Sequence, residues 1–310
     1  MKLVLVVLGL SIGLIACSSK KPKTDDYLQH VATNSFFHQS PPPMSIRLPE
    51  QALIDMRGEY DPSNQVQSAQ IMYSGAAGLG GMLVQVATHA AISDSQQDNK
   101  LSEQQIRANG VLQPIQPVYS TFTNKDLMFA HPQVSFNKVD SADTYIIENK
   151  PIYFLSQDAR TLTLRNIVYI SDPKQKPTSG KNKRQSSLYQ NIVEVTAVSL
   201  NSDKPNNEWL ADNGALLRKT LQELYVRSVD IAISDIHGKF NIVKADETIS
   251  FTQGKTQRTE RGKLLQQECE YSLIRNLRGW LISVPSSAIQ SQTLANCAVK
   301  QSNTAATATP

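Results

Sequence analysis

Residues 161–171 read TLTLRNIVYIS, and residues 188–200 read LYQNIVEVTAVSL. β-Branched residues are frequent in both stretches, and apolar positions alternate with polar ones in part of each, as at Leu162 and Leu164. This pattern predicts two β-strands that turn one face toward a core. The same reasoning predicts shorter strands at 133–139, 151–156, 239–245, 248–254, 271–274 and 279–284.

A long helical pattern follows these two strands, in NEWLADNGALLRKTLQELYVRSVDIAISDIHG at 207–238. Its apolar side chains recur at helical spacing, which places them on one stripe: Leu210, Leu217, Leu221, Leu224 and Ile231. His237 and Gly238 predict the end of the helix, because histidine suits the negative end of the helix dipole and glycine suits the position after it. The expected fold class is α+β: an antiparallel sheet packed by this long amphipathic helix, with a helical N-terminal part.

The N-terminal part is expected to be helical because of one stretch without Asp, Glu, Lys or Arg. Residues 71–92 read IMYSGAAGLGGMLVQVATHAAI, and the glycines match neither a dinucleotide-binding G-x-G-x-x-G nor a phosphate-binding loop. Two interpretations of 75–92 stay open: a buried core helix, or a helix that associates with itself or touches a membrane through its small residues.

These patterns predict five regions along the chain. They are a signal peptide at 1–16, a lipidated N-terminus and tether at 17–45, a mainly helical Gly-rich region at 46–130, an α+β domain at 131–298 and a disordered tail at 299–310.

The chain begins with Met1, Lys2 and an apolar run that ends in LIAC at 14–17. A basic start and about 14 apolar residues are typical of a secretory signal peptide, and the run is shorter than the roughly 20 residues that span a membrane. The small residue Ala16 precedes Cys17, and LIAC resembles the lipobox of bacterial lipoproteins. The resemblance implies that the leader is removed before Cys17 and that acyl groups on Cys17 anchor the chain in a membrane.

The stretches TLTLRNIVYI, SDIHG and LRGWLISVP are also similar to uncharacterised proteobacterial envelope lipoproteins, a resemblance that brings no activity with it. In lipoproteins, a residue such as Ser18 after the lipidated cysteine favours the outer membrane over retention in the inner one. The resemblance therefore implies an outer-membrane location facing the periplasm, with the inner membrane as the alternative.

Two cysteines remain if Cys17 carries lipid, namely Cys269 and Cys297. The periplasm is oxidising, so a disulfide between them is expected. It would close a loop of about 29 residues and stabilise the fold by roughly 3–4 kcal/mol in the chain-entropy model. Two buried thiols or a metal pair are the alternatives.

A basic segment joins the two strands quoted first. Within 173–193 there is no Asp or Glu, and five cations lie together: Lys174, Lys176, Lys181, Lys183 and Arg184. One interpretation is a solvated loop that keeps the strand pair soluble. The other is a surface for anionic lipid headgroups or for an acidic partner.

Motifs of known catalytic chemistry are missing from the sequence. HExxH and paired-cysteine zinc spacings do not occur, and GxSxG occurs only at 9–13, within the predicted signal peptide, so no catalytic residue, metal or cofactor is predicted. A net charge of +4 over 310 residues is too mild to predict nucleic-acid binding.

The expected function is that of a lipid-anchored, periplasm-facing and non-enzymatic envelope protein. It would contact the membrane through its acyl groups and bind a protein partner in outer-membrane assembly or maintenance. One alternative is a component that assembles with itself through the Gly-rich segment. The other is a periplasmic hydrolase of wall or lipid substrates, which would use a Ser-His-Asp triad or a pair from Asp140, Asp143, Glu148, Asp158, Glu260 and Glu268.

Overall fold

The structure, a computed structural model, describes residues 43–60, 103–138, 144–171 and 187–290. Several predictions fall outside these residues: the leader with Cys17, most of the tether, the Gly-rich segment, the basic segment, Cys297 and the tail. None of the helices in the described part is long and apolar enough to cross a membrane.

In the described part of the chain, ten strands form one sheet. They are β1 Met44–Arg47, β2 Asp55–Gly58, β3 Val134–Phe136, β4 Tyr145–Leu155, β5 Leu162–Ser171, β6 Ser187–Thr196, β7 Glu247–Gln253, β8 Thr256–Gln267, β9 Tyr271–Asn276 and β10 Leu281–Pro285. Their spatial order is β3-β1-β4-β5-β6-β10-β9-β8-β7. β1 pairs with the first half of β4, and β2 pairs with the second half.

The predicted fold class, α+β with an antiparallel sheet and a helical N-terminal part, is wrong. Of the described residues, 40% lie in strands and 30% in helices, so this part of the protein is mostly β, and its sheet is mixed. β1 runs parallel to β3 and β4, β2 runs parallel to β4, and β10 runs parallel to β6. The region expected to be helical, 46–130, contributes β2 and part of β1 to this sheet, in addition to short helical segments. Alternation along a strand specifies which face is buried but not which strand lies beside it, so pairs between distant segments leave no local signal.

Short helical segments connect β2 to β3. Residues 103–108 form the helix α1, and Gln116–Tyr119 form the helix α2, with a 3₁₀ turn at Asn109–Ile115 between them. The backbone N–H of Gly58 donates to Oδ1 of Asn109 at 2.9 Å. This close approach requires glycine, because a Cβ at Gly58 would lie 1.9 Å from the carbonyl oxygen of Ala108.

The long helix α3, Pro205–Ile236, packs on β5 and β6. Its leucine stripe is buried against the sheet, most completely at Leu217 and Leu221. Burial of such a stripe stabilises the helix more than its intrinsic propensity does. The predicted helix end is confirmed, since His237 is the C-terminal cap and Gly238 follows it with φ 72°.

A break interrupts α3 near its start. Asp212, Asn213 and Gly214 have φ angles of 51°, 54° and 76°, in the left-handed region that residues other than glycine rarely adopt. The break brings Gly214 against α2, where a Cβ would lie 2.1 Å from Cγ1 of Val118. Gly214 thus meets two requirements, a left-handed backbone and a close contact.

The two faces of the central strands are covered differently. α3 covers one face, and the β7–β8 hairpin curls back over the other. Nε2 of Gln253 on β7 donates to Oγ1 of Thr163 on β5 at 2.9 Å, and Arg258 on β8 pairs with Glu194 on β6. Apolar side chains fill the second face: Ile152, Phe154, Ile167, Ile192 and Trp280, and beside them Ile249, Phe251, Ile274, Ile282, Val284 and Ile289.

Candidate functional site

An open groove of about 430 Å³ lies between α3, the segment that follows α3 and the end of β8. This volume is within the range of small-ligand pockets. Val226, Ile231 and Phe240 give the groove apolar surface, and Gln222 and Gln266 bring side-chain amides from α3 and from β8. The remaining lining residues are mostly charged, which makes the groove the main candidate for recognition.

Arg227 of α3 is fixed in position beside the groove. Its guanidinium group lies 3.9 Å from the centre of the Tyr271 ring, and its Nε donates to Oγ of Ser283 at 2.8 Å. Burial lowers the pKa of Arg227, while Tyr271 and the carboxylates around the groove act to raise it. No carboxylate in the described part of the chain forms an ion pair with it. A partly desolvated guanidinium with spare N–H donors is well suited to bind an anionic group.

The groove also displays carboxylates. Glu223 forms an exposed ion pair within α3, and Oδ1 of Asp230 lies 3.0 Å from Nε2 of His131. The side chain of Glu268, at the end of β8, has no hydrogen bond or ion pair within the described residues. Together with Lys239 and the guanidinium group, the groove therefore presents two cations and three carboxylates to solvent.

Ser234, Asp230 and His131 are the residue types of a serine-hydrolase triad, and they lie around the groove. In such a triad the histidine stands between the other two, so one ring nitrogen must face the serine. Neither nitrogen of His131 is left for this role. Nδ1 accepts the N–H of Gln133 at 3.1 Å, so the proton is on Nε2, which donates to Asp230. His131 is therefore not placed to act as a base for Ser234.

No family model, curated protein or solved structure matches this chain. Among the described residues, no group of three or more His, Cys, Asp or Glu side chains is placed to hold a metal ion.

Among the predicted site residues, the structure describes Cys269 and places it, exposed, in the turn between β8 and β9. Its predicted disulfide with Cys297 stays a prediction. The lipidation site and the basic surface also stay predictions, since their residues lie outside the described part: Cys17, Lys174, Lys176, Lys181, Lys183 and Arg184.

The carboxylates considered for a hydrolase do not form one site in the described part of the chain. Glu148, Asp158 and Glu260 have different partners, on β1, in the β4–β5 turn and on β8 respectively. Of those described, Glu268 alone lines the groove. The other two, Asp140 and Asp143, lie outside the described residues.

A buried ion network under the β7–β8 hairpin was not predicted from the sequence. Glu194 is completely buried, its Oε2 accepts from Nε of Arg165 at 2.8 Å, and its Oε1 pairs with Arg258. Burial raises the pKa of Glu194, but the guanidinium groups of Arg258 and Arg165 outweigh this effect, and the pKa is lowered overall. A local signal did exist. Arg165 and Glu194 are lone charges within apolar strands, and a buried charge requires a partner.

A second buried carboxylate joins the end of α3 to the sheet. Oδ2 of Asp235 accepts from the hydroxyl of Tyr189 at 2.9 Å and from Nδ2 of Asn191 at 3.1 Å, and its Oδ1 accepts from Arg275 at 2.5 Å. Burial, with the charge of Asp235, raises the pKa of Tyr189 well above its ordinary value. The cluster therefore holds a neutral phenol as a hydrogen-bond donor to a buried carboxylate.

Proposed function

We propose that this chain is a lipid-anchored envelope protein that faces the periplasm and binds a protein partner in outer-membrane assembly or maintenance. The LIAC leader supports the anchor. The observation that carries the binding role is Arg227, held over Tyr271 at an open groove and without an ion-pair partner in the described part of the chain. Acyl chains would confine the groove to a membrane surface and so raise its effective concentration near membrane partners.

The anchor is tested by the substitution Cys17→Ser. We expect the variant to leave the membrane fraction or to accumulate as uncleaved precursor, and to lose radioactive palmitate, because no thiol remains to receive the lipid. A Cys269→Ser variant is the matched control and should keep the label. Unchanged membrane fractionation and labelling of Cys17→Ser would rule out the anchor.

The binding role is tested by photo-crosslinking in cells. A photoreactive residue is placed at Gln266, which lines the groove, or at Gln257, another exposed glutamine on the same strand. We expect one protein to be captured from Gln266 and not from Gln257, and to be lost when Arg227→Gln is added. Equal capture from the two positions would argue against the groove as the binding site, and so would capture that is unchanged in the Arg227→Gln variant.

The basic segment at 174–184 is proposed to strengthen contact with anionic headgroups. Binding to vesicles that contain anionic lipid should then weaken as salt is raised, because surface electrostatics are screened within about 10 Å at 0.1 M salt. Replacing the five cations by glutamine should remove the salt dependence. A salt-independent interaction in the unaltered protein would contradict this part of the proposal.

A further inference from the structure

We propose that the groove binds a short peptide that presents a carboxylate and an ammonium group close together, with the carboxylate on Arg227 and the ammonium group on Glu268. The inference rests on the proposed function, because it names the chemistry that the groove recognises on its partner.

The charges of the groove favour a ligand that carries both signs. A purely anionic ligand at Arg227 would face the carboxylates of Asp230 and Glu268, and like charges at an interface are unfavourable. A purely cationic ligand would leave Arg227 without an ion-pair partner and bury it further. A ligand with both groups pairs with the guanidinium and with a carboxylate, and charge-assisted hydrogen bonds of this kind are the stronger ones.

The side-chain amides favour a peptide over a zwitterionic lipid headgroup. Nε2 of Gln222 donates to the carbonyl oxygen of Met128 at 3.1 Å, which leaves its Oε1 to accept a peptide N–H. Gln266 is exposed on the opposite element and has no side-chain partner among the described residues. Val226 adds apolar surface between the polar walls. A phosphoethanolamine headgroup carries both charges but has no amide to match these groups.

The ligand class is tested by titration calorimetry on the full chain purified in detergent, with glycyl-glycyl-lysine as the probe. We expect saturable binding. Amidation of the carboxylate, or acetylation of the lysine amine, should each weaken it about tenfold or more, since each removes one charge-assisted contact. Phosphoethanolamine should bind more weakly than the tripeptide.

Variants of the groove test the placement of the two charges. Arg227→Gln should weaken tripeptide binding about tenfold, whereas Arg278→Gln should not change it. Arg278 is a matched control because it also stacks on an aromatic ring, that of Trp280 at 5.2 Å, but lies outside the groove. Glu268→Gln changes an exposed side chain, so we expect the variant to keep the fold of the unaltered protein. It should weaken binding of the tripeptide but not of its acetylated form.

Any of four outcomes would overturn the inference: no saturable binding of the tripeptide, equal binding of the amidated or the acetylated peptide, phosphoethanolamine binding as tightly as the tripeptide, or unchanged binding by both Arg227→Gln and Glu268→Gln. Failure of the inference is distinguishable from failure of the proposed function. If the tripeptide does not bind but crosslinking from Gln266 still depends on Arg227, the groove binds a partner by other chemistry. If the unaltered chain captures no protein from Gln266, or captures one that does not depend on Arg227, the proposed function itself is contradicted.

Discussion

Replacing Glu194 by glutamine removes the negative charge from the buried ion network and keeps the size of the side chain. The side chains of Arg165 and Arg258 are only 15% and 23% exposed, so both guanidinium groups would stay largely buried around a neutral amide. Removing one partner of a buried ion pair costs about 3–5 kcal/mol. Each arginine keeps a second carboxylate partner, which is Glu59 for Arg165 and Glu260 for Arg258. We therefore expect the low end, a loss of about 3 kcal/mol in the free energy of unfolding at pH 7.

Urea unfolding followed by tryptophan fluorescence measures this loss, because Trp209 and Trp280 are both buried in the folded protein. The matched control is Glu148→Gln, which also removes a strand glutamate from an arginine pair. Its partner Arg47 is 57% exposed, and exposed pairs contribute less than about 1 kcal/mol. A loss for Glu194→Gln no larger than that of the control would refute the reasoning.

The pH dependence of the loss provides a second measurement. The folded-state pKa of Glu194 lies below its ordinary value of 4.5, so the charge stabilises the fold fully above that pH. This stabilisation is lost as the pH falls through the lowered folded-state pKa. The difference between the unaltered protein and Glu194→Gln should therefore be largest near neutrality and shrink in acid. A difference that stays constant down to low pH would show that the charge is not its cause.

Three further predictions follow from the fold. Gly214→Ala should lower the free energy of unfolding by about 1–3 kcal/mol in the urea assay, because the new side chain would sit on a left-handed backbone and clash with Val118. Gly110→Ala is the control and should not lower it, since a Cβ there meets nothing within 4 Å. The free energy of unfolding should fall as the pH rises above 10. Burial raises the pKa of Tyr189 in the folded state, so this phenol ionises first in the unfolded chain. Unfolding curves recorded at alkaline pH should show a smaller fall for Tyr189→Phe. Thiol labelling on non-reducing gels should find Cys269 and its predicted partner blocked, and reactive thiols would contradict the disulfide.

Local sequence patterns were enough to predict the type and position of the central elements of the fold. β5 and β6 lie where their alternating residues predicted strands, and α3 ends where His237 and Gly238 predicted its end. One face of α3 is buried, and the helical spacing of its leucines predicted that face. β5 and β6 are buried on both faces, so their runs of apolar and β-branched residues predicted strands but not the second cover.

Two segments near the C-terminal end of the sheet show where such patterns fail. Residues 239–245 were predicted as a strand from their apolar residues, but they form none, and Val243 is fully exposed. β8 was not predicted because its sequence, TQRTERGKLLQQ, is rich in charge, and most of its side chains are exposed or half-buried. A strand held mainly by its backbone hydrogen bonds to two neighbours needs little apolar alternation.

The candidate site was hidden from the sequence for a similar reason. Arg227 occupies what looks like an ordinary polar position beside the leucine stripe of α3. Its fixed orientation depends on Tyr271 and Ser283, which belong to β9 and β10 and lie far along the chain. No spacing rule connects these three residues, because their proximity follows from the order of strands in a mixed sheet.

The parallel strand pairs of the sheet have a consequence for how the chain folds while it is being synthesised. β1 pairs with residues 134–136 and 145–148, and β6 pairs on one side with residues 281–283. These strands can pair only after the later segments have been synthesised. A polypeptide that emerges from a ribosome with its N-terminus first therefore carries unpaired hydrogen-bonding edges for most of its synthesis. Such edges invite intermolecular pairing. A chain that ends before residue 281 would leave one edge of β6 unpaired. Chaperones would therefore be needed most for chains that are nearly complete.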